Sequence, residues 1–201
     1  MAGYAFAHGL RAVDAIQHRV YGSLKTKLLR GIEGTVVEIG PGTGLNLAYL
    51  NRRLTWIGVE PNPHLHPMIQ HQLDTQGIAG TVLESSVEEA PLPDRCADVV
   101  ISTLVLCSVP CVRTALDAIR RILRPGGRFI FIEHIAAPRD SCACTLQHAV
   151  TPLWHRCFDG CHPNRRIDQT ISHAGFTSVE QQTTTLHLPV IAPHCHGYAH
   201  R

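Results

Sequence analysis

The residues best suited to chemistry are two glutamates on either side of a glycine-rich turn. Glu38 lies in an apolar run that leads into Gly40, Gly42 and Gly44, and Glu60 ends the next apolar run. Glycine lets the backbone adopt positive φ and approach a ligand closely. The separation of about twenty residues between the turn and the second acid is typical of a nucleoside-binding βαβ unit, in which that acid accepts the ribose hydroxyls.

The spacing and charge of this turn favour one class of nucleoside ligand. A dinucleotide site arranges its glycines as GxGxxG, so that a helix N-terminus meets the pyrophosphate. This chain has GxGxG instead, preceded by Glu38 and without a lysine in the turn. A carboxylate there suits a ligand with an ammonium group, which predicts S-adenosylmethionine and its product S-adenosylhomocysteine. A dinucleotide site and a structural turn that binds nothing remain as alternatives.

Composition predicts one domain over residues 1–201 and no nucleic-acid partner. The chain has 44% hydrophobic residues and a net charge of +2. It contains no run of about eighteen apolar residues, so no membrane span is expected, and its N-terminus lacks a signal-peptide pattern. We expect a cytoplasmic protein whose eight cysteines are thiols. No pair of cysteines has the CxxC spacing of a structural zinc site, so the sequence predicts no metal site.

Alternating strands and helices must position the glycine turn. Apolar segments predict strands at 36–39, 56–59, 80–83, 97–102 and 128–133, helices at 45–50, 63–73, 112–123 and 167–174, and closing strands at 177–184 and 197–199. This repetition predicts an α/β fold with a parallel, doubly wound sheet covered on both faces.

Two segments stand outside the alternation. The first thirty residues carry apolar side chains every three or four positions, namely Phe6, Leu10, Val13, Ile16, Val20, Leu24 and Leu28. This pattern predicts a helix, or two helices broken at Gly22, that covers the ligand site as a lid and makes at most peripheral contact with lipid. Residues 136–166 follow the fifth strand as a long insertion, which is where α/β enzymes place substrate sites.

The chain resembles the class I S-adenosylmethionine-dependent methyltransferases. The likeness rests on the glycine turn with its two acids, on the loop 86–94 and on the turn 123–127 before the fifth strand. The strings 103–109, 133–137, 154–161 and 193–199 more specifically resemble the methyltransferase-like-seven group of membrane-associated alkyl-thiol S-methyltransferases. The resemblance implies a Rossmann-like sheet, mostly parallel with an antiparallel closing strand. We expect this chain to differ from that group in having no N-terminal hydrophobic anchor.

The resemblance also assigns further cofactor residues. It adds Pro61, Ser86, Val87 and Thr103 to the acids and glycines of the turn. Many members have an aspartate at the position of Ser86, where it contacts the adenine amine, so that contact is not expected here.

Three side chains are predicted to serve catalysis, and two to line an apolar acceptor slot. Methyl transfer from a sulfonium needs donor and acceptor held in line, and a thiol acceptor reacts as its thiolate. His134 and His155 are candidates to take the thiol proton, with Asp159 orienting a histidine. Trp154 and Phe158 are candidates for the slot. Ordinary packing, tethering or capping roles are the alternatives for all five.

The sequence leaves several functions open. Methylation of a small, apolar thiol is the leading hypothesis. Methylation of an amine, an oxygen or a lipid headgroup on the same scaffold is the second, because a fold does not settle chemistry. Methylation or sequestration of a metalloid through the clustered cysteines is the third, and a non-enzymatic binding module is the fourth. The oligomeric state is not predicted.

Overall fold

A computed structural model describes the backbone of residues 2–201 and the side chains of residue 9 and of residues 14–201. Seven strands form one sheet in the order β3-β2-β1-β4-β5-β7-β6. They span Gly34–Ile39 (β1), Leu54–Val59 (β2), Ala79–Leu83 (β3), Ala97–Thr103 (β4), Leu123–His134 (β5), Ser178–Thr185 (β6) and Pro193–His200 (β7). Five α-helices span Ala2–Leu29 (α1), His66–Gln76 (α2), Val112–Ile122 (α3), Cys142–Cys157 (α4) and Ile167–Ser172 (α5).

The pairing of the strands confirms the predicted fold class. Strands β1 to β5 pair in parallel, and β7 is antiparallel to both β5 and β6. Apolar clusters pack on the two faces of the sheet, with Val37 and Phe129 in one cluster and Val36 and Trp56 in the other. The chain reverses its order of strands between β1 and β4, and the carboxyl ends of these strands therefore flank a crevice, where doubly wound sheets bind ligands.

The N-terminal helix differs from one of its two predicted forms. Helix α1 is continuous through Gly22, so the helix is not broken there. A Cβ atom at Gly22 would lie 3.3 Å from the Tyr49 hydroxyl, which shows that this glycine permits close packing rather than a bend. Leu28 is buried as predicted, whereas Ile16 is 56% exposed. The side chains of Phe6, Leu10 and Val13 lie outside the described residues.

Other elements also differ from the prediction. Strand β5 begins at Leu123, so residues 123–127, expected to form a turn before the strand, belong to it. The helix predicted after the glycine turn is a short 3₁₀ helix, Leu45–Tyr49. The insertion 136–166 contains the sixteen-residue helix α4, which was not predicted because Pro152 lies inside it. Strand β7 is longer than the predicted 197–199, since its histidines and cysteine hide an otherwise buried strand. Within the described residues, no helix is long and apolar enough to cross a membrane.

Candidate active site

A cavity of about 320 Å³ opens at the carboxyl ends of β1, β2 and β4. Its volume lies at the lower end of the range for small-molecule sites, about 300–1,000 Å³. All of the predicted cofactor residues except Gly44 line it, namely Glu38, Gly40, Gly42, Glu60, Pro61, Ser86, Val87 and Thr103. The structure therefore brings together residues from four separate segments of the sequence.

The glycine turn keeps the floor of this cavity free of side chains. Gly40 and Gly42 have φ values of 55° and 59°, a conformation that residues other than glycine rarely adopt. A Cβ atom at Gly40 would lie 2.7 Å from Cγ2 of Val105, which lines the cavity. Gly44 has φ 80° but packs against Gln72 and Ile69 of α2, so its role is to join the turn to that helix.

Glu60 is buried at the end of β2 with half of its acceptor capacity in use. Its Oε2 atom accepts the N–H of Gly42 at 3.1 Å, and Oε1 accepts the N–H of Asn62 at 3.0 Å. Burial raises the pKa of this carboxyl, and the two backbone hydrogen bonds oppose the rise. A carboxylate has about four acceptor positions, so two remain for a pair of hydroxyls.

Glu38 forms a buried polar group with Asn46 and Trp56 beneath the turn. Its Oε1 accepts from Asn46 Nδ2 at 2.8 Å, and its Oε2 accepts from Trp56 Nε1 at 2.9 Å. Burial raises the pKa of Glu38. Asn46 also lines the cavity, and its Oδ1 is a buried acceptor without a partner in the described structure. This arrangement fits a ligand with an ammonium group, which would donate to both acceptors.

Helix α1 adds a basic residue that the sequence analysis missed. Lys25 lines the cavity and is 1% exposed, and among the described lining residues it is the one lysine or arginine. Burial lowers its pKa to about 8, although the nearby Glu38 opposes the decrease. In the sequence, Lys25 follows Tyr21 by four residues and precedes Leu28 by three, so it lies on the helix face that carries these two buried side chains. This spacing could have identified Lys25 as a buried lysine.

A hydrogen bond also fastens α1 to the glycine turn. The hydroxyl of Thr43 donates to Oδ1 of Asp14 at 3.0 Å, and Gln17 lines the cavity. The predicted lid thus forms one wall of the pocket through residues in the middle and second half of the helix.

The far side of the cavity is mostly apolar. Val105, Val109 and Pro110 line it after β4, together with the hydroxyl-bearing Ser108. Asp159 also lines the cavity, from the turn that follows α4, and it has φ 46°. Its charge contributes to the raised pKa of Glu60, so the two carboxyls lie near each other.

The other predicted catalytic and substrate residues lie outside the cavity lining. His134 is 2% exposed, and its Nε2 lies 3.2 Å from Sγ of Cys161. His155 is exposed, with its ring centroid 4.7 Å from that of His162. Trp154 and Phe158 contact each other with centroids 4.3 Å apart, and Phe158 is 46% exposed.

The hydrogen-bonding and charged groups of the pocket fit S-adenosylmethionine. Acceptors for an ammonium, a pair of free acceptor positions for ribose hydroxyls and a cation for a carboxylate all face one glycine-floored crevice. With the strand order 3-2-1-4-5-7-6, these features define a class I S-adenosylmethionine-dependent methyltransferase.

Comparison with known proteins supports this assignment. A family model described as a methyltransferase domain matches residues 37–131. Human thiol S-methyltransferase TMT1B is 31% identical over 196 residues, covering 94% of this chain and 80% of the relative. Human thiol S-methyltransferase TMT1A is 31% identical over 170 residues, covering 82% of this chain and 70% of the relative.

Solved structures share the fold at low sequence identity. A Thermotoga maritima protein described as a possible histamine N-methyltransferase superposes with a TM-score of 0.71 at 19% identity, covering 100% of this chain and 99% of that one. Geranyl diphosphate C-methyltransferase from Streptomyces coelicolor, solved with S-adenosylhomocysteine, superposes with a TM-score of 0.72 at 16% identity. The superposition covers 95% of this chain and 83% of that one. The chain belongs to the S-adenosylmethionine-dependent methyltransferase family that includes thiol S-methyltransferases TMT1A and TMT1B, and its cofactor is S-adenosylmethionine.

Proposed function

We propose that this methyltransferase methylates the sulfur of a small, apolar thiol. The observation that carries the proposal is the similarity to a thiol S-methyltransferase over 94% of the chain, a span that includes most of the cavity lining. The apolar lining by Val105, Val109 and Pro110 is consistent with such an acceptor. S-adenosylmethionine supplies a methyl group on a positively charged sulfonium.

In this proposal the polar residues of the cavity hold the cofactor at three points. The free acceptor positions of Glu60 bind the ribose hydroxyls. Glu38 and Asn46 Oδ1 accept from the ammonium of the methionine moiety, and Lys25 pairs with its carboxylate. Ser86 and Val87 contact the adenine, and Thr103 lies beside Asn46, whose Nδ2 donates to its hydroxyl at 3.0 Å.

The acceptor is proposed to enter between Asp159 and the apolar residues after β4. Val105, Val109 and Pro110 exclude water from the thiol and align it. Asp159 accepts a hydrogen bond from the thiol, since it is the predicted catalytic residue that faces this space. A thiol with a pKa near 8.5 is ionised to a few per cent at neutral pH, so a separate strong base is unnecessary. We therefore place His134 and His155 outside the reacting groups.

A competition among matched acceptors tests the proposal. The chain is incubated with methyl-labelled S-adenosylmethionine and an alkyl thiol, or with the alcohol and primary amine of the same carbon skeleton. Phosphatidylethanolamine vesicles and arsenite are offered separately. We expect label in the thioether alone, and the Gly42→Val variant, with its cofactor floor blocked, serves as the inactive control. Transfer to the amine, the lipid or arsenite in preference to the thiol would contradict the proposal.

A further inference from the structure

A buried group of soft ligands lies close in sequence to two residues that line the cavity, Ser108 and Asp159. Sγ of Cys107, Sγ of Cys161 and a ring nitrogen of His134 all lie within 4.8 Å of one another, and all three residues are buried. They come from the loop after β4, the end of β5 and the turn after α4. We propose that these three residues bind one zinc ion.

The ligand types and their separation fit zinc. Zinc takes thiolate sulfur at about 2.3 Å and imidazole nitrogen at about 2.0–2.1 Å, usually in a tetrahedron, so its ligand atoms lie about 3.5–3.8 Å apart. His134 Nε2 lies 3.2 Å from Cys161 Sγ, so an ion needs only a small widening of the present group. Two thiolates and an imidazole select zinc over harder ions such as magnesium or calcium.

The two cysteine-bearing loops are held to each other by the backbone. The N–H of His162 donates to the carbonyl of Cys107 at 2.9 Å. The guanidinium of Arg165 donates to the carbonyls of Leu106 and Val109, which flank Cys107. The indole N–H of Trp154 donates to Sγ of Cys161 at 3.3 Å, the kind of outer contact that orients a metal-bound thiolate. The ligands are therefore preorganised without depending on a flexible segment.

This site explains why the spacing of cysteines predicted no metal. Cys107 lies 27 residues before His134 in sequence, and Cys161 lies 27 residues after it. These separations are much longer than the ligand spacings of zinc fingers. The cysteine and histidine pairs that stood out in the sequence, such as Cys142 with Cys144, do not contribute to it. The inference does not depend on which acceptor the enzyme methylates.

Metal analysis of the full-length chain tests the inference. Protein purified without chelator and desalted after exposure to zinc is expected to retain about one zinc per chain. X-ray absorption at the zinc edge should show two sulfur neighbours. Cobalt added to metal-free protein should give a thiolate-to-cobalt charge-transfer band. These measurements on wild type need no variant to fold.

Variants then assign the ligands. Cys107→Ser, Cys161→Ser and His134→Gln should each lose most of the zinc and the charge-transfer band, whereas Cys195→Ser, at a buried cysteine outside the group, should retain both. Circular dichroism identifies any variant that fails to fold. Zinc retained in all three folded variants would overturn the inference. Folded wild type that binds no zinc would also overturn the inference. This holds whether Cys107 and Cys161 are then found as free thiols, as a disulfide, or as a site that binds only trivalent arsenic.

Discussion

Replacing Glu60 with glutamine gives a quantitative test of the cofactor site. The carboxylate uses one acceptor position on each oxygen for the N–H groups of Gly42 and Asn62. Glutamine keeps one oxygen, and its amide nitrogen must face a backbone donor or turn towards the ligand. Either orientation removes charge-assisted acceptance of at least one ribose hydroxyl.

The size of the effect follows from the bonds lost. A hydrogen bond to a charged group contributes about 1.5–3 kcal/mol, and a neutral one about 0.5–1.5 kcal/mol. Loss of one ribose hydrogen bond and weakening of the other therefore cost about 3 kcal/mol together, which raises the dissociation constant about 10²-fold. Titration calorimetry with S-adenosylhomocysteine measures this dissociation constant directly. Glu89→Gln is the matched control because Glu89 is exposed in the loop 86–94.

A second ligand separates the ribose contact from general damage. An S-adenosylhomocysteine analogue without ribose hydroxyls should bind wild type weakly and should bind Glu60→Gln with almost the same affinity. The affinity of wild type for S-adenosylhomocysteine should also fall in acid, beginning above the usual range for glutamate because burial raises the pKa of Glu60. Glu60→Gln should keep only the part of this fall that Glu38 contributes, since burial raises the pKa of Glu38 as well. The reasoning is refuted if the variant binds the natural ligand normally, or if the analogue and the natural ligand lose equal affinity.

Four further outcomes follow from the same geometry. Asp159→Asn should lower turnover on a thiol by about 10-fold with unchanged cofactor affinity, because a neutral amide oxygen accepts the hydrogen bond of the thiol more weakly than a carboxylate does. His155→Gln should keep near-normal turnover; steady-state rates and calorimetry together decide both. Lys25 should contribute a rise of at most about 3 kcal/mol to the free energy of unfolding between pH 8 and 10.5, because native Lys25 loses its proton near pH 8 and the unfolded lysine keeps it to about 10.5. The buried Cys107 and Cys195, whose pKa values are raised, act in the opposite direction in wild type and variant alike, so the difference between the two proteins is measured. Denaturant titrations of Lys25→Met should lack that rise. Gly40→Ala should destabilise the fold by about 2–4 kcal/mol, since its Cβ would meet Val105 at positive φ, and an unchanged melting midpoint would count against this.

The sequence predicted the cofactor half of the molecule well for a physical reason. Strands buried on both faces appear as continuous apolar runs, and a glycine turn between such runs has few structural alternatives. The mostly parallel sheet and its antiparallel closing strand followed from that pattern together with the family resemblance. The boundary errors fall where local composition misleads, as at Pro152 inside α4 and at the histidines of β7.

The acceptor half depends on contacts that no local pattern records. His134 follows β5 and so was expected near the reacting atoms, but its ring packs against Cys161 instead of lining the cavity. Asp159 enters the cavity because the turn after α4 takes positive φ at both Asp159 and Gly160. A single sequence does not show which of several polar residues in an insertion such a turn will present.

Helix α1 shows why the cofactor site is larger than its motif. Glu38 and Glu60 are both buried beside the cavity, and burial disfavours the charge of each. Lys25 is the nearby cation that offsets this cost for Glu38, and it lies on a helix that the glycine motif does not include. A buried charge left without its partner is strongly destabilising. Removal of α1 should therefore lower stability and cofactor affinity together, so the helix is a component of the site rather than a cover added to a finished pocket.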